Sequence, residues 1–274
     1  MNFHSKEWIM AEMEEHYKES LPYFSDSTIV GLFYQGSGNY GVDTPASDVD
    51  TKMIVVPSFK DIVLNRKAVS TTHVRPNDAH TDWKDIRLML QTFRKQNLNF
   101  LEILFTEYKI LNPLYEEQWK RLEAEREAIA HYSPYAAIKS MKGIAMEKYH
   151  AMEHDYPAKR DVLAKWGYDP KQLHHLLRVE EYIYRYINGE SYAKCLLTRQ
   201  PAHLIAVKNY DKPLYTLEDA RQVAEISKQH VEDMCQKYLE GRDPKEVDTH
   251  IDELLDDVQY QIMRKAMEVE LSES

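Results

Sequence analysis

A chain of 274 residues is long enough to bury a sizeable core and to divide into two domains. Its net charge of −10 argues against broad, nonspecific binding to nucleic acid, whose affinity comes mainly from phosphate neutralisation by Lys and Arg. No apolar run approaches the ~18 residues of a spanning helix, His4, Lys6 and Glu12 interrupt any signal-like start, and only two cysteines, Cys195 and Cys235, occur, so the expectation is no membrane and a reducing compartment, the cytoplasm by default. The charge is uneven: residues 139–178 hold eight Lys or Arg against five Asp or Glu, while residues 240–274 are strongly acidic.

Asn2 to Tyr23 has helical spacing at Trp8, Ile9 and Met13 and is expected to pack as an opening helix. The run from Thr28 to Tyr34 is β-branched and aromatic and reads as a buried strand, which sets Gly36 and Ser37 at a strand's end. There the missing Cβ of Gly36 lets a ligand approach the backbone, the amides opening a short helix after Ser37 would point outward and suit phosphate, and the Ser37 hydroxyl adds a donor. Asp48 to Val56 alternates like a second strand. Period 2 puts Asp48 and Asp50 on one face and Val49, Thr51 and Met53 on the other. Two adjacent carboxylates repel unless neutralised; a pair of Mg²⁺ ions about 3.5 to 4 Å apart does this and clamps a triphosphate for in-line displacement.

A charged stretch from Pro57 to Pro76 includes a short element at Asp61–Leu64, and Ala79 to Trp83 reads as a third strand carrying Asp82. Asp85 precedes Ile86, Met89, Leu90 and Phe93 at core spacing and is expected to cap a helix. Asn97 to Phe105 begins another helix, with Leu101, Leu104 and Phe105 in the core and Glu102 read as an exposed or helix-pairing residue. Asn112-Pro113 is the expected boundary between an N-terminal domain, 1–112, and a helical one, 113–274.

Beyond it helices are expected at Glu116–His131, Pro134–His154, Leu217–Leu239 and Pro244–Glu268, with an irregular stretch at Ser191–Leu217. Between them, Asp169 and Pro170 open a helix whose buried face is Leu176, Val179, Ile183 and Ile187; Lys171, His175, Arg178, Tyr182 and Arg185 line another face. That stripe of donors reads either as a ligand-facing surface or as a solvated one. His150 and His154 are four apart, but Ala151 stands where a metalloprotease motif needs Glu, so they read as surface residues.

The pattern G-S-x10-D-x-D is similar to the signature of the DNA polymerase β-like nucleotidyltransferase superfamily. More narrowly, Gly36-Ser37, Tyr40-Gly41 and Pro45-Ala-Ser-Asp-Val-Asp50, followed by Asn97-Leu-Asn-Phe-Leu-Glu-Ile-Leu104, resemble the bacterial and phage family of RNA-repair-pathway nucleotidyltransferases, with Leu98 standing where that family commonly has Pro. The resemblance implies an α+β fold: a nucleotidyltransferase domain with a short mixed sheet, then an α-helical domain closing the cleft. It implies transfer of a nucleoside monophosphate from an NTP to an acceptor hydroxyl such as an RNA or tRNA 3′ end, with two Mg²⁺, or Mn²⁺, as cofactor. Asp48, Asp50 and a third carboxylate on a neighbouring strand would hold the metals. Asp82 matches that third position in order and context, with Asp78 and Asp85 as competitors. Gly36, Ser37, Ser47, Lys171, His175 and Arg178 would contact nucleotide. The alternatives are AMP transfer to a side chain of a protein acceptor, as in antitoxin-like enzymes, nucleotidylylation of a small molecule such as an antibiotic, and a non-catalytic nucleotide-binding module.

Overall fold

The computed structural model describes residues 3–75, 77 and 79–272 and divides into two compact units. The first comprises residues 1–39, 45–133 and 247–274; the second comprises 40–44 and 134–246.

The first unit is α+β. Helix α1 (Lys6–Ser20) turns Ile9, Met13 and His16 inward, while Trp8 stays partly exposed and stacks on His4. Strand β1 (Ile29–Gln35) is buried along nearly its whole length, as its unbroken apolar run requires. Next come β2 (Asp50–Val55), α2 (Phe59–Val63), β3 (Ser70–Val74), β4 (His80–Asp85), α3 (Ile86–Arg94), α4 (Leu98–Leu101), β5 (Lys109–Leu111), α5 (Glu116–Ala124) and α6 (Arg126–Ala130). The five strands form one mixed sheet in the order β3-β4-β2-β1-β5, with β2 and β4 parallel and every other pair antiparallel. On one face α1 packs over Leu32, Tyr34, Met53 and Trp83. On the other, Phe33 meets Trp119 at 4.3 Å between ring centres.

The second unit is helical: α7 (Pro134–Ala151), α8 (Arg160–Trp166), α9 (Pro170–Ile187), α10 (Tyr192–Leu196), α11 (Pro201–Val207) and α12 (Leu217–Leu239). Asp169 caps α9 by accepting the Lys171 amide at 2.9 Å. The short segment 40–44 belongs to this unit, held by the Thr198 amide on Tyr40 O and by Lys208 Nζ on Val42 O at 2.7 Å. The chain then returns to the first unit with α13 (Thr249–Ser272).

Several boundaries differ from the sequence reading, for identifiable reasons. Asn112 is no linker: its side-chain amide donates to Asp26 O and Ile29 O, both at 2.9 Å, and so fastens the end of β5 to the sheet. Tyr115, donating to Ser27 O at 2.6 Å, and Trp119 keep α5 in the same unit. Arg94 ties α13 back through Asp252 and Asp256, each at 2.6 Å, so the last helix completes the sheet unit. The exposed edge strand β3 and the three-residue β5 are too short or too polar to show periodicity, and α10 and α11 lie within the stretch Ser191–Leu217 that read as irregular. The helix expected from Asn97 is one turn, Leu98–Leu101, continued by a 3₁₀ turn at Glu102–Leu104, and Glu102 is buried rather than exposed. Asp85 ends β4 and caps α3, as expected, by accepting the Arg87 amide at 2.8 Å.

Candidate active site

Antiparallel pairing of β1 with β2 places Gln35 opposite Asp50, so the chain leaves β1 through Gly36 and Ser37 at the same edge where Asp48 and Asp50 bring it into β2. Gly36 has φ +102°, a left-handed conformation that side chains strain to adopt, and the space a Cβ would point into is open. The amides after Ser37 do not all point outward: Gly38 N–H donates to the Tyr34 hydroxyl at 3.0 Å and Asn39 N–H to Gly36 O at 3.0 Å. Open to a ligand at this turn are the approach past Gly36 and the partly exposed Ser37 hydroxyl. Ser47, in the loop leading to Asp48, is held through its carbonyl, which accepts from His4 Nε2 at 3.2 Å.

Asp48 precedes β2, is exposed, and has no side-chain hydrogen bond or ion pair among the described residues. Asp50 is the first residue of β2 and half-buried. Its Oδ1 accepts the His80 amide at 2.9 Å and lies 3.3 Å from His80 Nδ1. Burial first, and then the neighbouring charge of Asp48, push the Asp50 carboxyl above its usual range. The pair is thus under-compensated at the mouth of the sheet, where cation binding would relieve it.

Asp82 meets a different fate. Parallel pairing sets it beside Lys52, and the alternation of β2 places Lys52 on the face of Asp50, so all three side chains share one face. Lys52, only 3% exposed, donates to Asp82 Oδ2 at 3.0 Å and to Gln35 Oε1 at 2.5 Å. The other Asp82 oxygen accepts the Thr72 hydroxyl at 2.6 Å, and Gln35 Nε2 lies 3.4 Å from Oδ2. Burial alone would raise the Asp82 pKa, but Lys52 and these hydrogen bonds outweigh it and hold the carboxyl below its usual range. Its competitor Asp85 is buried and doubly paired with Arg87, and Asp78 lies outside the described residues. Among the described residues no group of three or more His, Cys, Asp or Glu is placed to hold a metal ion together.

On α9 the expected donor stripe divides. Lys171 is exposed and His175 half-buried, but Arg178, Tyr182 and Arg185 are buried. Arg185 is fully used, bonded to Glu181, Glu190 and the carbonyls of Lys194 and Leu197. Arg178 is not: at 5% exposure its guanidinium lies 3.7 Å over the Tyr40 ring, while Nε and Nη1 donate to nothing among the described residues. Burial, followed by the neighbouring His174 ring and the charges of Arg178, Lys171 and Lys148, holds His175 well below the ordinary imidazole pKa. His174 donates from Nδ1 to Leu204 O and serves the packing of α9 on α11. His150 and His154 are exposed, as read.

Two residues of this region escaped the sequence reading, Lys52 and His80. Lys52 had a signal, since the alternation that aligns Asp48 with Asp50 also places position 52 on that face; His80 had none until β4 was registered against β2.

No family model matches the chain, and no curated protein matches it. Among solved structures it is similar to a nucleotidyltransferase-like protein from Exiguobacterium sibiricum 255-15, at 11% identity and a TM-score of 0.31, over 92% of this chain and 89% of that one. So distant a likeness assigns no chemistry, and the reading that follows rests on the residues themselves.

Proposed function

We propose that the protein is a metal-dependent nucleotidyltransferase that moves a nucleoside monophosphate from an NTP to an acceptor hydroxyl, with an RNA 3′ end such as that of tRNA as the acceptor. The observation that carries this is the Asp48–Asp50 pair, left without a basic partner strong enough to neutralise it beside an open Gly36-Ser37 turn. A divalent ion fits this donor set, because Mg²⁺ is usually held by one or two carboxylates together with substrate phosphates and waters. When bound, such an ion polarises the α-phosphoryl group and neutralises charge on the departing pyrophosphate.

The chain's own residues do the rest. Asp48 and Asp50 would hold the cation. Gly36 lets the phosphates approach the backbone, and the Ser37 hydroxyl donates to a phosphate oxygen. The acceptor oxygen bonds to the α-phosphorus as the bond to the bridging oxygen breaks; pyrophosphate leaves with the bond's electron pair and the hydroxyl proton goes to solvent. On α9, the unanswered donors of Arg178, with Lys171 and His175, suit a phosphate group of the nucleotide or of the acceptor. No helix among the described residues is long and apolar enough to cross a membrane; the cytoplasmic reading rests on the sparse cysteines.

The test is incubation with each labelled NTP and Mg²⁺, or Mn²⁺, in the presence of separate pools of tRNA, protein and aminoglycosides. Label transferred to RNA supports the full reading. Label on protein or on a small molecule keeps the chemistry and replaces the acceptor, an outcome that the net charge of −10 makes worth including. Nucleotide binding without transfer to any pool overturns the enzymatic reading in favour of a binding module.

A further inference from the structure

The ion pair beside the carboxylate pair has a meaning of its own, which rests on the reading just given. A site of three carboxylates needs two divalent ions to balance it. Here the third carboxylate, Asp82, already has a cation: the buried Lys52 ammonium, two residues along β2 from Asp50 and on the same face. The ammonium is held from several sides, by Asp82 Oδ2 at 3.0 Å, by Gln35 Oε1 at 2.5 Å and by the ring of Phe100 at 4.1 Å. Thr72 and Gln35 in turn fix Asp82, occupying both of its oxygens. Lys84, one rung further along β4, lies over the same Phe100 ring at 4.1 Å, so the positive side of this face extends away from Asp50.

We propose that Lys52 supplies the positive charge which a second metal ion would otherwise bring, so that the site works with a single divalent ion on Asp48 and Asp50, and that Asp82 is a positioning residue for the Lys52 ammonium, not a metal ligand. A Lys ammonium is a compact point charge with three donors, well suited to standing in for a cation between a carboxylate and a phosphate oxygen. Its confinement at 3% exposure keeps it in one place.

The experiment counts metal directly and needs no turnover. The full chain, saturated with a non-hydrolysable NTP analogue, is titrated with Mn²⁺, and bound ion is followed by electron paramagnetic resonance. The wild-type protein is expected to hold one Mn²⁺ per nucleotide complex. Asp82→Asn should leave that number at one and the affinity changed by no more than about two-fold, because a residue that does not touch the ion contributes little to holding it. Lys52→Met should free the Asp82 carboxylate and raise the number to two. Two ions in the wild-type complex, one of them lost in Asp82→Asn, would overturn the inference while leaving the transferase reading intact. Mn²⁺ binding that is the same in wild type and Asp50→Asn would overturn both, since then the carboxylate pair holds no ion. The wild-type count decides the matter even where a variant fails to fold, which melting curves would reveal.

Discussion

The sheet unit and the helical unit carry opposite deficits of charge. At the mouth of the sheet, Asp48 and Asp50 stand together with only an amide and an imidazole to compensate them. On α9, Arg178 is buried with two donor groups unanswered. Between these extremes lies the Lys52–Asp82 pair, on the same face as Asp50, where every charge has its partner. The contrast is instructive because burying an unpaired charge costs several kcal/mol, and this fold plainly can neutralise charges where it places them in pairs. Under the proposed function, each deficit on its own would take a ligand of opposite sign, a cation in the first unit and an anion in the second.

The largest expected effect breaks the first half of that comparison. Asp50→Ala should lower turnover by roughly 10² to 10⁴-fold, through loss of the ion's grip on the transition state. Thermal stability should hardly change, since removing one of two like charges relieves repulsion. Wild-type turnover in this variant, measured with the labelled-NTP assay, would end the metal-dependent reading.

Acid stability sharpens the comparison next, because each unit buries a histidine. Burial brings His16 down to about 4 and His174 to about 3, both below the ordinary 6.5. The unfolded chain therefore takes up protons that the folded chain does not, so the stabilising contribution is full above pH 6.5 and is lost as the pH falls from there toward 4. Near pH 5 these two alone should cost about 2 to 3 kcal/mol of stability per pH unit, and His175, also held well below the ordinary imidazole range, adds to that slope. Urea unfolding at a series of pH values checks this, and His174→Gln should remove about a third of the slope. A profile flat between pH 6.5 and 5 would contradict the burial of both rings.

The second half of the comparison is tested at Arg178. Arg178→Met keeps bulk over Tyr40 while removing the unanswered donors, so affinity for inorganic triphosphate or nucleotide should fall about 10- to 100-fold, the worth of one or two hydrogen bonds to a charged group. Folding stability should hold or rise. Lys171→Ala, at an exposed position of the same helix, should change stability by less than about 0.5 kcal/mol. Calorimetric binding alongside melting curves separates these outcomes: a large drop in melting temperature with unaltered binding would make Arg178 a packing residue.

A further effect, on stability first, belongs to the turn. Gly36→Ala introduces a Cβ at φ +102°, where space is open but the backbone is strained, and should cost about 1 to 2 kcal/mol of stability together with weaker nucleotide binding. An unchanged melting temperature would show that the turn adopts another conformation in solution.

How much of this was legible beforehand depends on how local its cause is. β1, β2, α9 and α12 could be read because their apolar periodicity and caps lie within a few residues of one another, and Asp169 and Asp85 cap their helices as a neighbouring amide dictates. The pairing of Asp48 with Asp50 beside Gly36 was legible for the same reason, since strand alternation and a glycine turn are local properties. What tertiary structure alone decided is where charges find partners. Lys52 meets Asp82 across 30 residues only because β2 and β4 run parallel, and no pattern within either strand announces that register. Asn112, which reads as a boundary beside a proline, becomes a fastening because β5 brings it against Asp26 and Ile29. Likewise α13 joins the sheet unit through Arg94, 158 residues away from Asp252. Periodicity fixes which side of an element faces inward; only long-range register fixes which charge it meets there.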